Sequence, residues 1–269
     1  MYDEARGTRP GVPGPLPREA RMSGPGSDGA RRLAADPVIL GASSRSWLIH
    51  SPGLARLYWT LHSPWWDTYS SAPDGERRAH HVQEWVVAHG NGHGSTILDL
   101  GCGTGACAEG LVERGFRVVT LDFADGMLRR VAERARALPQ AALTGVQADF
   151  NESLPFRDQS FDTVVCLAAL HLARDLDRLL GEVGRVLRPG GLFAGLLIRG
   201  VPTRRPARHP VALAFRLVRR LPGWRRRVRT GPFSDFMRCL DRAGLEGLRC
   251  QASGARIAVL ARRRSEPSS

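Results

Sequence analysis

Lysine is missing from this chain of 269 residues; all 39 basic residues are arginine. Cysteine is scarce, and none of the five (Cys102, Cys107, Cys166, Cys239 and Cys250) belongs to a CxxC pair. An odd number without paired spacing argues against a disulfide framework and a zinc site. The expectation is a reducing, cytoplasmic setting with no metal. No apolar run approaches the ~20 residues of a membrane-spanning helix. The N-terminus lacks the compact apolar stretch of a secretory signal.

Hydrophobic residues make up 42% of the chain, enough for a sizeable core. The net charge is +13, unevenly spread: residues 199–234 hold eleven arginines and no acid, and the rest is close to neutral. Residues 1–36 are rich in Pro, Gly, Ser and Arg and read as a disordered tail, because they bury too little apolar surface to offset ordering entropy. A helical unit is expected over 37–94, with helices at 46–62 and 76–89 and an aromatic break, "HSPWWDTYS", between them. The glycine-rich "HGNGHGS" then leads into a second unit, 95–269.

From residue 96 the pattern alternates. Strands are expected at 96–100, 116–122, 143–147, 161–170 and 192–198, and helices at 106–114, 125–137 and 175–187. Such alternation gives a doubly wound α/β fold with a mostly parallel sheet. After a basic insertion, 199–232, a helix is expected at 233–243. Two strands, "LEGLRCQA" and "GARIAVLARR", follow. They are too close in sequence for a parallel crossover, so they form an antiparallel C-terminal hairpin.

The stretch "ILDLGCGTGACAEGL" (97–111) carries the first functional signal. Gly101, Gly103 and Gly105 follow a strand and open a helix, so a ligand can lie directly on bare backbone. The spacing is G-x-G-x-G rather than the dinucleotide G-x-G-x-x-G. Asp99 stands two residues before the first glycine, where a carboxylate would repel a pyrophosphate but not a sulfonium amino acid.

"LDLGCGTG" resembles the first motif of class I S-adenosylmethionine-dependent methyltransferases, in their small-molecule and quinone-biosynthesis branch. "DFADGML", "QADFNESLPFRDQSFDTVV" and "VGRVLRPGGLF" resemble its later motifs in the same order. The resemblance covers about 90–200 and the terminal hairpin. It implies a Rossmann-like sheet, S-adenosylmethionine as cofactor, and an N-terminal helical lid over the site. It further implies that Asp122 binds the ribose hydroxyls, that Phe123 and Met127 flank the adenine, that Asp149 takes the adenine amino group and that Phe150 lies near the ring. No NPPY- or DPPY-like tetrad and no Pro-Cys motif occurs, which disfavours amide-nitrogen and cytosine-C5 enzymes of this family.

His171, just past the fourth strand, is the candidate base, with pocket wall as the alternative. Trp65, Trp66 and Tyr69 are candidate substrate contacts, with lid packing as the alternative. In "VALAFRLVRRLPGWRRRVR", Arg216, Arg219 and Arg220 fall on one helical face. Four roles stay open for that segment: a pocket for an anionic acceptor, contact with an anionic membrane, contact with nucleic-acid phosphates, and a solvated lid. The expected function is methyl transfer to a small or medium-sized, anionic or lipid-like metabolite in specialised biosynthesis. RNA methylation and a cyclisation or rearrangement with a structural cofactor are the alternatives.

Overall fold

The computed structural model describes residues 20–21, 37–42, 52–70, 73–139, 141–167, 169–198, 228–253 and 256–265. In chain order its elements are β1 (Ala20–Arg21), β2 (Pro37–Ala42), α1 (Pro52–Ser70), α2 (Pro73–His89), β3 (Thr96–Leu100), α3 (Ala106–Val112), β4 (Arg117–Asp122), α4 (Asp125–Ala135) and β5 (Leu143–Gln147). Then come β6 (Phe161–Leu167), a 3-10 turn (Leu170–Leu172), α5 (Leu176–Val186), β7 (Leu187–Ile198), β8 (Val228–Pro232), α6 (Phe233–Arg242), β9 (Leu245–Ser253) and β10 (Arg256–Arg263).

One eight-stranded sheet runs β1-β9-β10-β7-β6-β3-β4-β5. Strands β3 to β7 are parallel; β10 pairs antiparallel with both β7 and β9. The chain winds outward from β3 through β4 to β5, then returns to lay β6 on the other side of β3. The switch point therefore lies between β3 and β6, where such sheets open a crevice at the carboxyl ends of the strands.

Successive residues of the central strands face opposite layers. Leu98, Val164, Phe193 and Val259 join the core under α5 and α6. Their neighbours Ile97, Val165, Ala194 and Leu260 join the core under α2, α3 and α4. This is why these strands read as unbroken apolar runs: both faces are covered.

The expected parallel sheet and antiparallel C-terminal pair are present. The N-terminal region differs from expectation. Residues 37–42 form a strand, not part of a helical unit. They pair antiparallel with residues 228–232, which the sequence placed in the basic insertion. Val38 of this small second sheet is fully buried. The aromatic break is also absent, since α1 runs straight through it and through Pro64. Proline at 64 has no N–H to give the carbonyl of Thr60, but the Ser63 hydroxyl donates to that carbonyl at 2.9 Å. The fourth strand ends at Leu167, short of the expected 170, because the apolar run continues into a buried 3-10 turn. The "RPGG" segment, expected to lie between helix and strand, is the irregular first part of β7. Of the N-terminal tail, Ala20 and Arg21 pair with the edge of β9; its other residues lie outside the described part.

Candidate active site

The glycine loop between β3 and α3 is bent so that Gly101 and Gly103 have φ of 69° and 57°, a left-handed region favouring glycine. Space is also lacking. A Cβ on Gly101 would stand 2.6 Å from Ala169 Cβ and 3.3 Å from Phe150 Cε1, and one on Gly103 would stand 2.9 Å from Trp66 Nε1. The loop is thus pressed against the segments that follow β5 and β6 and against α1. Gly101 and Cys102 donate their N–H groups to the Leu121 carbonyl at 2.8 and 3.1 Å, which ties the loop to the end of β4.

Asp122 closes β4 and is buried. One oxygen accepts from the Gly103 N–H at 3.0 Å and the other from the Ala124 N–H at 2.9 Å. Each oxygen keeps a further lone pair. Burial pushes its carboxyl up to about 6 against the opposing backbone N–H groups, and Asp149 adds to the rise. Asp99 is 1% exposed, and its Oδ2 has no hydrogen-bond partner. Burial, and then the charge of Asp122, push it up to about 7. Two interacting, desolvated carboxylates, one with an orphaned oxygen, carry an electrostatic cost that a cationic ligand would offset.

Asp149, just after β5, accepts from the Asn151 backbone N–H at 2.8 Å and its side-chain amide at 3.0 Å. Its other oxygen meets the Arg174 guanidinium at 2.7 Å. Phe150 and Met127 are buried, and Phe123 is half-buried at the end of β4. The structure therefore gathers Asp99, Gly101, Gly103, Asp122 and Phe150 about one loop. Asp149 is linked to Asp122 through its charge. Gly105 caps α3 and packs on Val131 of α4.

Helix α1 lies across this loop. Trp66 sits on Gly103, and the Asp67 carboxylate accepts from the Thr104 hydroxyl. Arg134 of α4 reaches Asp67 at 3.2 Å and donates to the Thr104 carbonyl at 3.0 Å. Thr60 donates to Asp125 at 2.8 Å. Asp67, Thr104, Arg134, Asn151 and Arg174 escaped the sequence reading. Their roles come from partners tens of residues away, except that Asn151 also bonds Asp149, two residues before it. Trp65 and Tyr69 belong to α1, but their side chains lie outside the described part, as do Arg216, Arg219 and Arg220 entirely.

His171 lies on the 3-10 turn. Its Nδ1 is shut from solvent without a partner. Burial, and then the positive charge of Arg256, hold the ring down to about 4, so it is neutral at pH 7. Proton affinity this low makes it a weak base.

Residues 98–195 match the family described as methyltransferase domain. Over that stretch the chain is similar to methyltransferases. Demethylmenaquinone methyltransferase of Thermobifida fusca is 43% identical to this chain over 98 residues, 36% of this chain and 41% of that protein. Ubiquinone biosynthesis O-methyltransferase of Idiomarina loihiensis is 33% identical over 149 residues, 52% of this chain and 58% of that protein. The chain thus spans less than two thirds of either relative. The crystal structure of the (4+2)-cyclase SpnF superposes with a TM-score of 0.60 at 18% identity, covering 79% of this chain and 96% of that one. At that identity the likeness is one of fold.

The residues gathered at this loop fit S-adenosylmethionine. The orphaned Asp99 oxygen suits a cationic head group, and Asp122 has acceptor capacity for a diol. Among the described residues no cluster of three or more His, Cys, Asp or Glu side chains is placed to hold a metal. No described helix is long and apolar enough to cross a membrane.

Proposed function

We propose that this protein transfers a methyl group from S-adenosylmethionine to a small or medium-sized metabolite, anionic or lipid-like, in a biosynthetic pathway. The observation that carries this reading is the buried Asp99–Asp122 pair under a glycine loop that has no space for side chains. The names of the two quinone-pathway relatives support the substrate class.

When bound, S-adenosylmethionine supplies a methyl group on a sulfonium, already electrophilic. Asp122 accepts from both ribose hydroxyls through its free lone pairs. Asp99 faces the cationic end of the ligand. Asp149 accepts from the adenine amino group, with Phe123, Met127 and Phe150 about the ring. Helix α1 is the lid: Trp66 closes over Gly103, and Asp67 holds the helix to Thr104. The lid excludes water and fixes the acceptor in line, and positioning of that kind supplies roughly 7–11 kcal/mol in favourable cases. Neutral His171 is a hydrogen-bonding wall of the acceptor pocket rather than a strong base.

The test is a screen of full-length protein with S-adenosylmethionine and candidate acceptors, quinone precursors included. The expected result is an acceptor heavier by one methyl group and stoichiometric S-adenosylhomocysteine. Conversion without mass gain would select cyclisation or rearrangement instead. RNA binding that weakens steeply with salt would select the nucleic-acid reading. Calorimetry showing no affinity for either form of the cofactor would overturn the proposal.

A further inference from the structure

A closed polar ring stands beside the site. Asp149 accepts from Asn151, the Asn151 side-chain oxygen accepts from the Arg174 backbone N–H at 2.7 Å, and the Arg174 guanidinium returns to Asp149 at 2.7 Å. The ring joins the segment after β5 to the segment after β6, three residues beyond His171. Both charged side chains are about three-quarters covered, which raises the strength of their attraction above that of a surface pair. Arg174 also touches Glu152, at a longer 3.4 Å. Its Nε is sealed from solvent with no partner. A buried, unsatisfied donor costs free energy, so a side chain retained for packing alone would be a poor choice there.

The geometry points to Arg174 as a positioning residue that acts through Asp149 to make the site selective for a 6-aminopurine. This rests on the reading that Asp149 takes the adenine amino group. As the ion-paired carboxylate, Asp149 accepts hydrogen bonds and does not donate. Asn151 fills both lone pairs of Oδ1 and Arg174 takes one of Oδ2, so the one remaining lone pair, on Oδ2, has a fixed direction. An amino group at C6 satisfies it; an oxo group at the same position presents oxygen to oxygen and leaves it unpaired. Without the guanidinium, Oδ2 is free to turn toward water, which relaxes the choice between the two purines.

Calorimetry on the full chain tests this, with S-adenosylhomocysteine and its 6-oxo analogue S-inosylhomocysteine as probes. Wild type is expected to prefer the amino ligand by about tenfold or more, the value of a hydrogen bond to a charged group. Arg174→Gln is expected to reduce that preference to about threefold or less, mainly by weakening the amino ligand. Arg174→Lys, which keeps the charge but not the fork, is expected to fall between them. A merely structural role would weaken both ligands equally. An unchanged preference in a folded Arg174→Gln or Arg174→Lys variant overturns the proposal, as does a wild type that binds both ligands alike. A wild type that binds neither ligand removes the cofactor reading itself, and this inference with it.

Discussion

At the scale of single residues, Asp99 offers the sharpest test, because on the proposed function its buried charge serves the ligand at the expense of the fold. Its carboxyl rises from an ordinary 3.8 to about 7 in the folded chain. Between those values the native state holds a proton that the unfolded state has lost. Stability of the ligand-free protein is therefore full below pH 4 on this account, and falls as pH climbs through about 7. Asp122, raised to about 6, acts in the same direction. The Asp99 shift corresponds to roughly 2–4 kcal/mol. Asp99→Asn removes that loss, so the ligand-free variant is expected to melt roughly 5–10 °C above wild type at pH 8. A melting curve at or below wild type there would refute the account. The same variant is expected to bind S-adenosylhomocysteine about tenfold or more weakly, since a charged acceptor for the ligand's ammonium is gone. In wild type, affinity for that ligand is expected to rise with pH and level off above about 7, with proton release on binding below it. Calorimetry in buffers of different ionisation enthalpy reads both.

At the scale of elements, Gly126 sets how closely α1 crosses α4. A Cβ there would lie 2.7 Å from the Thr60 carbonyl oxygen and 2.8 Å from Ser63 Oγ. Gly126→Ala gains roughly 1 kcal/mol of helix propensity, but backbone cannot yield as a flexible side chain does, and the overlap costs roughly 1–3 kcal/mol. Displacement of α1 is expected to win, with faster amide exchange in 52–70 and a severalfold higher KM for the cofactor. Unchanged exchange in α1 would show that the helix is not seated on this contact. The crossing also shows what the sequence concealed. Most strands and helices from 96 onward were legible because each has a clear hydrophobic period, and β3 and β4 stop at Gly101 and Asp122; the end of β6, the start of β7 and the strand at 228–232 were not. Helix α1 was not, because continuity through Pro64 depends on the Ser63 hydroxyl taking over the Thr60 carbonyl. The pairing of Pro37–Ala42 with Val228–Pro232 was not, because it joins segments about 190 residues apart. The candidate site divides in the same way. Asp99, the glycines, Asp122 and Asp149 sit at strand ends and could be read off, whereas Asp67 and Arg174 are defined by partners that only the fold supplies.

At the scale of the whole molecule, charge is partitioned. The candidate site holds buried carboxylates at 99 and 122, with Asp149 balanced by Arg174. The basic excess is concentrated in residues 199–234, eleven arginines without an acid. That stretch begins directly after β7 ends at Ile198, and it runs through β8, which pairs with β2. Strand β2 in turn contacts the 3-10 turn that bears His171. On the proposed function, the two ligands would meet fields of opposite sign, and salt separates them. Buried charges are little affected by ions, whereas charges in contact with water are screened within about 10 Å at 0.1 M. Affinity for S-adenosylhomocysteine is therefore expected to stay within about twofold between 50 and 500 mM salt, while kcat/KM for an anionic acceptor falls about tenfold. Replacing Arg216, Arg219 and Arg220 with Gln is expected to lower kcat/KM at low salt and to flatten its salt dependence, with cofactor affinity unchanged. If the triple variant keeps the full salt slope, the acceptor's charge is met elsewhere, and the basic segment has no part in binding it.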